Sequence, residues 1–450
     1  MIPVYALRQF FSADGGRGKD KGRHMKKIKA VVLGCGDRGN VYASYSIDHP
    51  DEMEIVSVVD VDPVALKTTG DKYGIPEEYR FKNIDDFLAA GIKCDTVINA
   101  TMDSDHYSTA KKLILNGYDQ LLEKPIVNNE KELYRLKKFA EEKNVSLIIC
   151  HVLRYTPFYK TVKTLLNEGQ IGKIQTLEMN EHVELVHFAD SFVRGKWSDE
   201  KTCGSGLLLQ KCCHDLDLMC WLNNFSLPKR VSSFGSRSYF LPENAPEGAT
   251  EFCYNCPNNA TCLYSAQKIH LDLDWFYFQT WRGIGKPLSE ITRQDKEEYL
   301  KVSDYGKCVY TLKRNLVDRQ NVNVEFSDGS VGSFTVVGGC SRWGRYLHII
   351  GSKGEISGKL EDNKIILTRK VRENGGFDSI TEVIDLSDKI PADASHSNGD
   401  MSLMKEYIQF LNGDKSSVSL TTIDDSVSGH LCVYAAEKSR KEGKTVKLNL

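Results

Sequence analysis

IKAVVLGCGDRGN at residues 28–40, followed by EIVSVVD at 54–60, decides the fold of the first third of the chain. The run 28–33 is short, apolar and rich in valine, as expected of a buried parallel strand. It passes directly into Gly34-Cys35-Gly36-Asp37-Arg38-Gly39, after which the pattern predicts a helix over 40–47. A second strand over 54–59 ends on Asp60. Each piece has a physical task in a dinucleotide fingerprint. Gly34 permits the tight turn, Gly36 lets the backbone approach a pyrophosphate, and Gly39 allows the helix to pack close to the strand. The helix start, with Asp37 and Arg38, offers unbonded N–H groups and partial positive charge to phosphates. Asp60, about 20 positions beyond the glycines, is placed to accept hydrogen bonds from the adenosine ribose hydroxyls. A 2′-phosphate there would face a carboxylate, so the expected cofactor is NAD rather than NADP, with Arg38 the one residue that weakens the preference.

Outward from this stretch, strands are expected at 96–100, 120–122 and 145–150, separated by helical patterns at 84–90, 107–116 and 130–143. Strict alternation means right-handed βαβ units and a doubly wound parallel sheet, an α/β dinucleotide-binding domain over 26–150. Ligands bind at the carboxyl ends of such strands, which places Thr101, Met102, Glu123 and Lys124 at the cofactor by topology. Lys124 is a surface lysine by default, but at a switch point it can donate to a substrate hydroxyl or carbonyl.

Several stretches together resemble the Gfo/Idh/MocA family, named for glucose–fructose oxidoreductase, inositol dehydrogenase and a rhizopine-catabolism protein. They are GCGDRG at 34–39, INATMDSDHYSTAKKLILNGYDQLLEKPIV at 98–127, HVLRYTPFY at 151–159 and LLNEGQIGKIQTLE at 165–178. Residues 99–101, His106 and Glu123-Lys124-Pro125 fall at the family's spacing, and the likeness covers most of the chain apart from 1–25 and much of 235–315. The resemblance implies an NAD-dependent oxidoreductase of sugar, polyol or glycoside chemistry, with His106 at the cofactor and Arg154-Tyr155 close to the substrate cleft.

After Cys150 the texture changes to alternating strands (174–186, 322–337) and then helices at 399–411 and 424–440. This is an α+β pattern over 151–450 with a large open, mostly antiparallel sheet, one face toward the cleft and the other available to a second copy, so a homo-oligomer is expected. GSGLLLQKCCHDLDLMCWL at 204–222 carries the chemistry. Read as one helix, it sets Lys211, His214, Asp217 and Trp221 on a shared face. A core helix with a bonded histidine is the plain reading of such a segment. An ionisable stripe on an apolar helix is nevertheless costly to bury without purpose. The resemblance implies an Asp, a His four residues on and an Asp three further. His214 and Asp217 match; Gln210 replaces the first Asp. Gln210 can hydrogen-bond substrate but cannot take a proton, leaving His214 as base, with Lys124 and Lys211 tuning it.

The chain has 450 residues, 41% apolar and 27% charged, with a net charge of -2. That balance offers no electrostatic footprint for nucleic acid or an anionic membrane. No apolar run suits a transmembrane helix. The opening, Gly- and charge-rich up to His24 and followed by Met25, reads as a leader or tag over 1–25. With no secretory signal, the 13 cysteines indicate a reducing cytoplasm rather than a disulfide framework. Cys253, Cys256 and Cys262, in an insert over about 235–315, resemble half a zinc knuckle. A structural zinc there needs a fourth ligand from His270, Cys203, His182 or His187; the alternative is three free thiols. The aromatic tract 270–281 fits either a lid on a sugar ring or the core of the insert. Two other functions compete with a net dehydrogenase. One is a redox glycoside hydrolase or lyase that oxidises transiently and eliminates, with Lys211 as an extra acid–base group. The other is a non-catalytic NAD-binding protein.

Overall fold

The computed structural model describes residues 25–224, 226–273, 278–373, 376–391 and 395–450. The leader up to His24 lies outside them, as does the stretch 274–277 of the aromatic tract. Six strands form the first sheet: β1 (Ile28–Leu33), β2 (Met53–Val59), β3 (Arg80–Phe81), β4 (Thr96–Asn99), β5 (Gln120–Leu122) and β6 (Leu147–Ile149). Their order is β3-β2-β1-β4-β5-β6 and all pairs are parallel. The chain reverses direction across the sheet between β1 and β4, which opens a crevice at their carboxyl ends.

The first helix differs from the expected 40–47. It starts at Asp37, with Gly36 as its N-cap, and breaks at Ser44 into Asp37–Ala43 and Tyr45–Asp48. Asp62 caps the helix Pro63–Lys72 by accepting from the N–H of Val64 and Ala65, and Asn129 caps Glu130–Lys143.

Nine strands form the second sheet: β7 (Ile174–Glu184), β8 (Pro228–Ser236), β9 (Arg319–Phe326), β10 (Val331–Cys340), β11 (Gly344–Gly351), β12 (Gly354–Lys359), β13 (Lys364–Glu373), β14 (Gly376–Asp385) and β15 (Val446–Lys447). Their order is β14-β13-β12-β11-β7-β10-β9-β8-β15, antiparallel except where β10 runs parallel to β7. The alternating tract 322–337 folds as the hairpin β9–β10 around Asp328 and Gly329, where a φ of 89° calls for glycine. The inward residues Val322, Val324, Phe334 and Val336 form one core with Leu216 and Trp221 of the helix Cys213–Leu222.

The two C-terminal helices do not stay with the second sheet. Leu403, Met404 and Tyr407 of Gly399–Leu411 join the core of β1 and β4, while Ile423, Val427 and Leu431 of Ile423–Glu442 pack with β5 and β6. A boundary at residue 150 therefore divides the sheets but not the cores.

Candidate functional site

The glycine loop follows from backbone geometry. Gly34 has φ +94°, and a Cβ there would stand 2.4 Å from the Ala100 carbonyl oxygen. A Cβ on Gly39 would stand 2.1 Å from the Gly34 carbonyl. At Gly36 nothing but the Arg282 guanidinium comes near, at 3.8 Å, so that backbone faces an open crevice. The crevice holds about 600 Å³, within the range of a cofactor site. Gly34, Gly36, Asp37, Arg38, Asp60, Thr101, Met102, Glu123 and Lys124 line it. Bare backbone at the helix start, a carboxylate at the end of β2 and this volume fit a dinucleotide.

Asp60 is partly committed: one oxygen accepts from the Cys35 N–H at 2.6 Å and the other from the Asp62 N–H at 2.8 Å. Arg38 lines the crevice, but its guanidinium stacks over Tyr42 and binds Glu123 at 2.8 Å and Asp400 at 2.6 Å. Glu123 is buried; burial pushes its carboxyl up, but Arg38 and Lys124 outweigh that and hold it below its ordinary value. Gly39 and His106 do not line the crevice. Gly39 lies under the loop, and His106 is buried with its two ring nitrogens facing the carbonyls of Pro125 at 2.6 Å and Thr101 at 3.1 Å, between the two strand ends. Sequence reasoning missed Lys82, Lys196, Trp197 and Arg282, which also line the crevice. They come from a strand end, an irregular segment and the cysteine insert, and nothing in their local pattern marks them.

The segment 204–222 is not one helix. It forms Leu207–Gln210 and Cys213–Leu222 with a break at Lys211 and Cys212. The break turns Lys211 away from the stripe and onto the second sheet, where its ammonium meets Glu181 at 3.3 Å. Arg345 joins Glu181 at 2.9 Å and Asp215 at 3.0 Å, closing a buried charge cluster. Lys124 reaches the same segment from the first domain: its Nζ donates to the Gln210 carbonyl at 2.7 Å. Gln210 itself is buried, its Nε2 donating to the Ser205 carbonyl, while its Oε1 has no hydrogen-bond partner among the described residues.

His214 is half-buried and does not line the crevice; its Nδ1 stands 3.4 Å from the Nδ1 of His151. Behind it, Asp217 takes both Arg154 nitrogens, at 2.7 and 2.6 Å, with the His151 Nε2 at 3.7 Å. Arg154 and Asp217 are each 1% exposed, so they form a buried ion pair rather than a substrate contact or an acid–base group. Tyr155 is likewise buried, its hydroxyl 3.0 Å from Thr421 Oγ1. His430 completes the cluster. Its Nδ1 faces the Ser426 carbonyl at 3.1 Å, and its Nε2 accepts the Ile126 N–H at 3.0 Å, a pattern that fixes the neutral imidazole. Burial, then the charge of nearby Arg154 and Lys124, holds His151 well below its ordinary value. Burial, then His151, pulls His430 down to about 3.

The structural zinc expected at Cys253, Cys256 and Cys262 is not formed. Among the described residues no group of three or more His, Cys, Asp or Glu side chains is arranged to hold a metal ion. The expected fourth ligands are engaged elsewhere: His270 with Asp190 at 3.1 Å, Cys203 with the Lys196 carbonyl at 2.6 Å, His182 against Tyr346 and His187 against Phe192. Trp281 and Leu271, at the described ends of the aromatic tract, belong to the core of the insert.

Three family models match the chain in succession. The Oxidoreductase family, NAD-binding Rossmann fold, matches 28–151; the GFO/IDH/MocA C-terminal domain matches 159–269; and the Oxidoreductase family, C-terminal alpha/beta domain, matches 277–448. YteT of Bacillus subtilis, designated an oxidoreductase, is 23% identical over 67% of this chain and 69% of its own length. The scyllo-inositol 2-dehydrogenase (NADP(+)) IolW of the same organism is 26% identical over 47% of this chain and 55% of its own. Among solved structures, an oxidoreductase from Agrobacterium radiobacter in complex with NAD+, L-tartaric acid and magnesium shares the fold at a TM-score of 0.65 and 16% identity, covering 94% of this chain and 98% of that one. An NAD binding oxidoreductase from Klebsiella pneumoniae gives 0.68 at 14% identity, covering 94% and 100%.

Proposed function

The chain belongs to the Gfo/Idh/MocA oxidoreductase family, with an NAD-binding Rossmann domain, and we propose that it is an NAD-dependent dehydrogenase acting on a hydroxyl or keto group of a sugar, polyol or glycoside. The observation that carries this reading is Lys124. It lines the dinucleotide crevice and donates to the Gln210 carbonyl of the second domain, so its ammonium would be in reach of a substrate oxygen beside the cofactor. The names of relatives such as the inositol dehydrogenase support the substrate class.

When bound, the nicotinamide supplies hydride transfer. Lys124 would hold the substrate oxygen and stabilise negative charge on it as its proton leaves. His214 would take that proton, held in place through His151 and the Arg154–Asp217 pair behind it. With Arg38 bound to Glu123 and Asp400, Asp60 would decide cofactor choice in favour of NAD. Apolar side chains exposed on the second sheet, among them Phe234, Ile366 and Val383, support assembly with further copies of the chain.

The test is incubation with NAD and a panel of sugars, polyols and glycosides, measuring reduced cofactor and released aglycone together. One reduced cofactor per substrate consumed is expected. Aglycone release sustained by trace NAD without reduced cofactor would select the redox glycosidase instead; the Lys211–Glu181 pair lends that reading no support. Cofactor binding with no turnover on any compound would mean a non-catalytic NAD-binding protein.

A further inference from the structure

The crevice has one wall that the dinucleotide-binding domain does not supply. Of the residues that line it, Lys196, Trp197 and Arg282 come from beyond the first sheet. Arg282 stands against the glycine loop. Its guanidinium nitrogens lie 3.8 and 4.0 Å from the point where a Cβ on Gly36 would be. Its Nη2 donates to the Asp37 carboxylate at 2.7 Å, across 245 positions of chain. Lys196 borders the same wall, its Nζ 4.4 Å over the Trp197 ring and 3.3 Å from the Met102 sulfur.

The insert fixes the backbone on both sides of Arg282. Trp281, the preceding residue, is buried and packs with Cys253, Leu271 and Leu300, its ring edge-on to His270 at 5.5 Å. His270 is in turn paired with the buried Asp190 at 3.1 Å. A Cβ on Gly283, the following residue, would stand 2.2 Å from the Tyr299 hydroxyl, so the chain lies pressed against the helix Arg293–Val302. The Arg282 side chain, by contrast, is half-exposed and reaches into the crevice.

Position along the crevice gives this arginine its task. The sheet order sets Lys82 beyond β3, Asp60 beyond β2, the glycine loop beyond β1, Thr101 beyond β4 and Lys124 beyond β5. A dinucleotide with its adenosine ribose at Asp60 and its nicotinamide toward Lys124 has its pyrophosphate at the middle of that row, on the bare backbone of Gly36. Among the described residues, only Arg282 brings side-chain atoms within 4.0 Å of a Cβ there. The planar guanidinium fork matches phosphate oxygens in pairs. Asp37, on the same loop, would repel a pyrophosphate, and the charge of Arg282 offsets it.

We infer that Arg282 binds the pyrophosphate of the dinucleotide, which makes the insert over about 235–315 part of the cofactor site. The inference rests on the dinucleotide reading of the crevice and is independent of the substrate.

Calorimetry on the full chain tests it, with NAD and with ADP-ribose, which carries the pyrophosphate but no nicotinamide. Arg282→Met should weaken both by about 10- to 100-fold, the worth of a charged hydrogen bond. Arg282→Lys, which keeps the charge but not the fork, should fall between, and Lys301→Met on the insert's helix should change neither. The loss should persist when Arg282→Met is made in an Asp37→Asn background. Unchanged affinity in Arg282→Met would overturn the inference. So would a loss that vanishes with Asp37→Asn, since Arg282 would then serve only as the partner of that carboxylate. Unaltered protein that binds neither ligand would remove the dinucleotide reading itself, and the inference with it.

Discussion

The glycine loop at 34–39 and the histidine cluster at 151, 214 and 430 flank the same lysine but are held by different forces. The loop is fixed by backbone contacts between neighbouring strand ends: Gly34 against Ala100, Gly39 against Gly34. The cluster is assembled from segments up to 279 residues apart, and its parts are charges and imidazoles taken out of water. A loop of the first kind tolerates changes of charge and fails on added volume. A cluster of the second kind tolerates little change of charge, because each buried ion depends on its partner.

The largest effect is expected where the two regions meet. Lys124→Ala should cut turnover by about 10²–10⁴ with NAD affinity retained, as measured by steady-state kinetics and calorimetry. Lys211→Ala, on the sheet side of the broken helix, should retain most turnover; equal losses would return Lys211 to the site.

Next in size is the buried pair. Arg154→Met leaves Asp217 charged and unpartnered and should cost about 3–5 kcal/mol in denaturant unfolding, whereas Arg154→Met with Asp217→Leu should recover much of it. Loss confined to substrate affinity, with stability unchanged, would make Arg154 a substrate ligand.

Acid should separate the regions further. The folded-state values of His151 and His430 lie below the usual 6.5, so the unfolded chain binds more protons as pH falls below about 6.5. Their neutral burial is therefore compatible with full stability above that pH, and stability declines as pH drops toward about 3. For His430 alone the loss should reach about 2 kcal/mol near pH 5, and His430→Asn should flatten the profile. The smallest effect concerns Asp60. Asp60→Ala removes its bonds to two backbone N–H groups and to the expected ribose hydroxyls, and should weaken NAD by about tenfold while improving tolerance of NADP. Tighter NADP binding by the unaltered protein would overturn the reading of Asp60 and direct attention to Lys82.

The amino-acid sequence by itself determined five of the six strands of the first sheet, all but the two-residue β3, together with the crevice position of Gly34, Gly36, Asp60 and Lys124, and the family. These follow from the alternation of strands and helices and from glycines that only a close backbone approach requires, both of which act over a few residues. Tertiary structure alone decided the break at Lys211, the pairing of Arg154 with Asp217, the capture of Arg38 by Asp400 and the arrival of Cys308 beside three cysteines far upstream. In each case a long polar or sulfur-bearing side chain chooses among partners that are distant in sequence. The cost of leaving a buried charge unpaired makes that choice, and it is set by what the fold brings near.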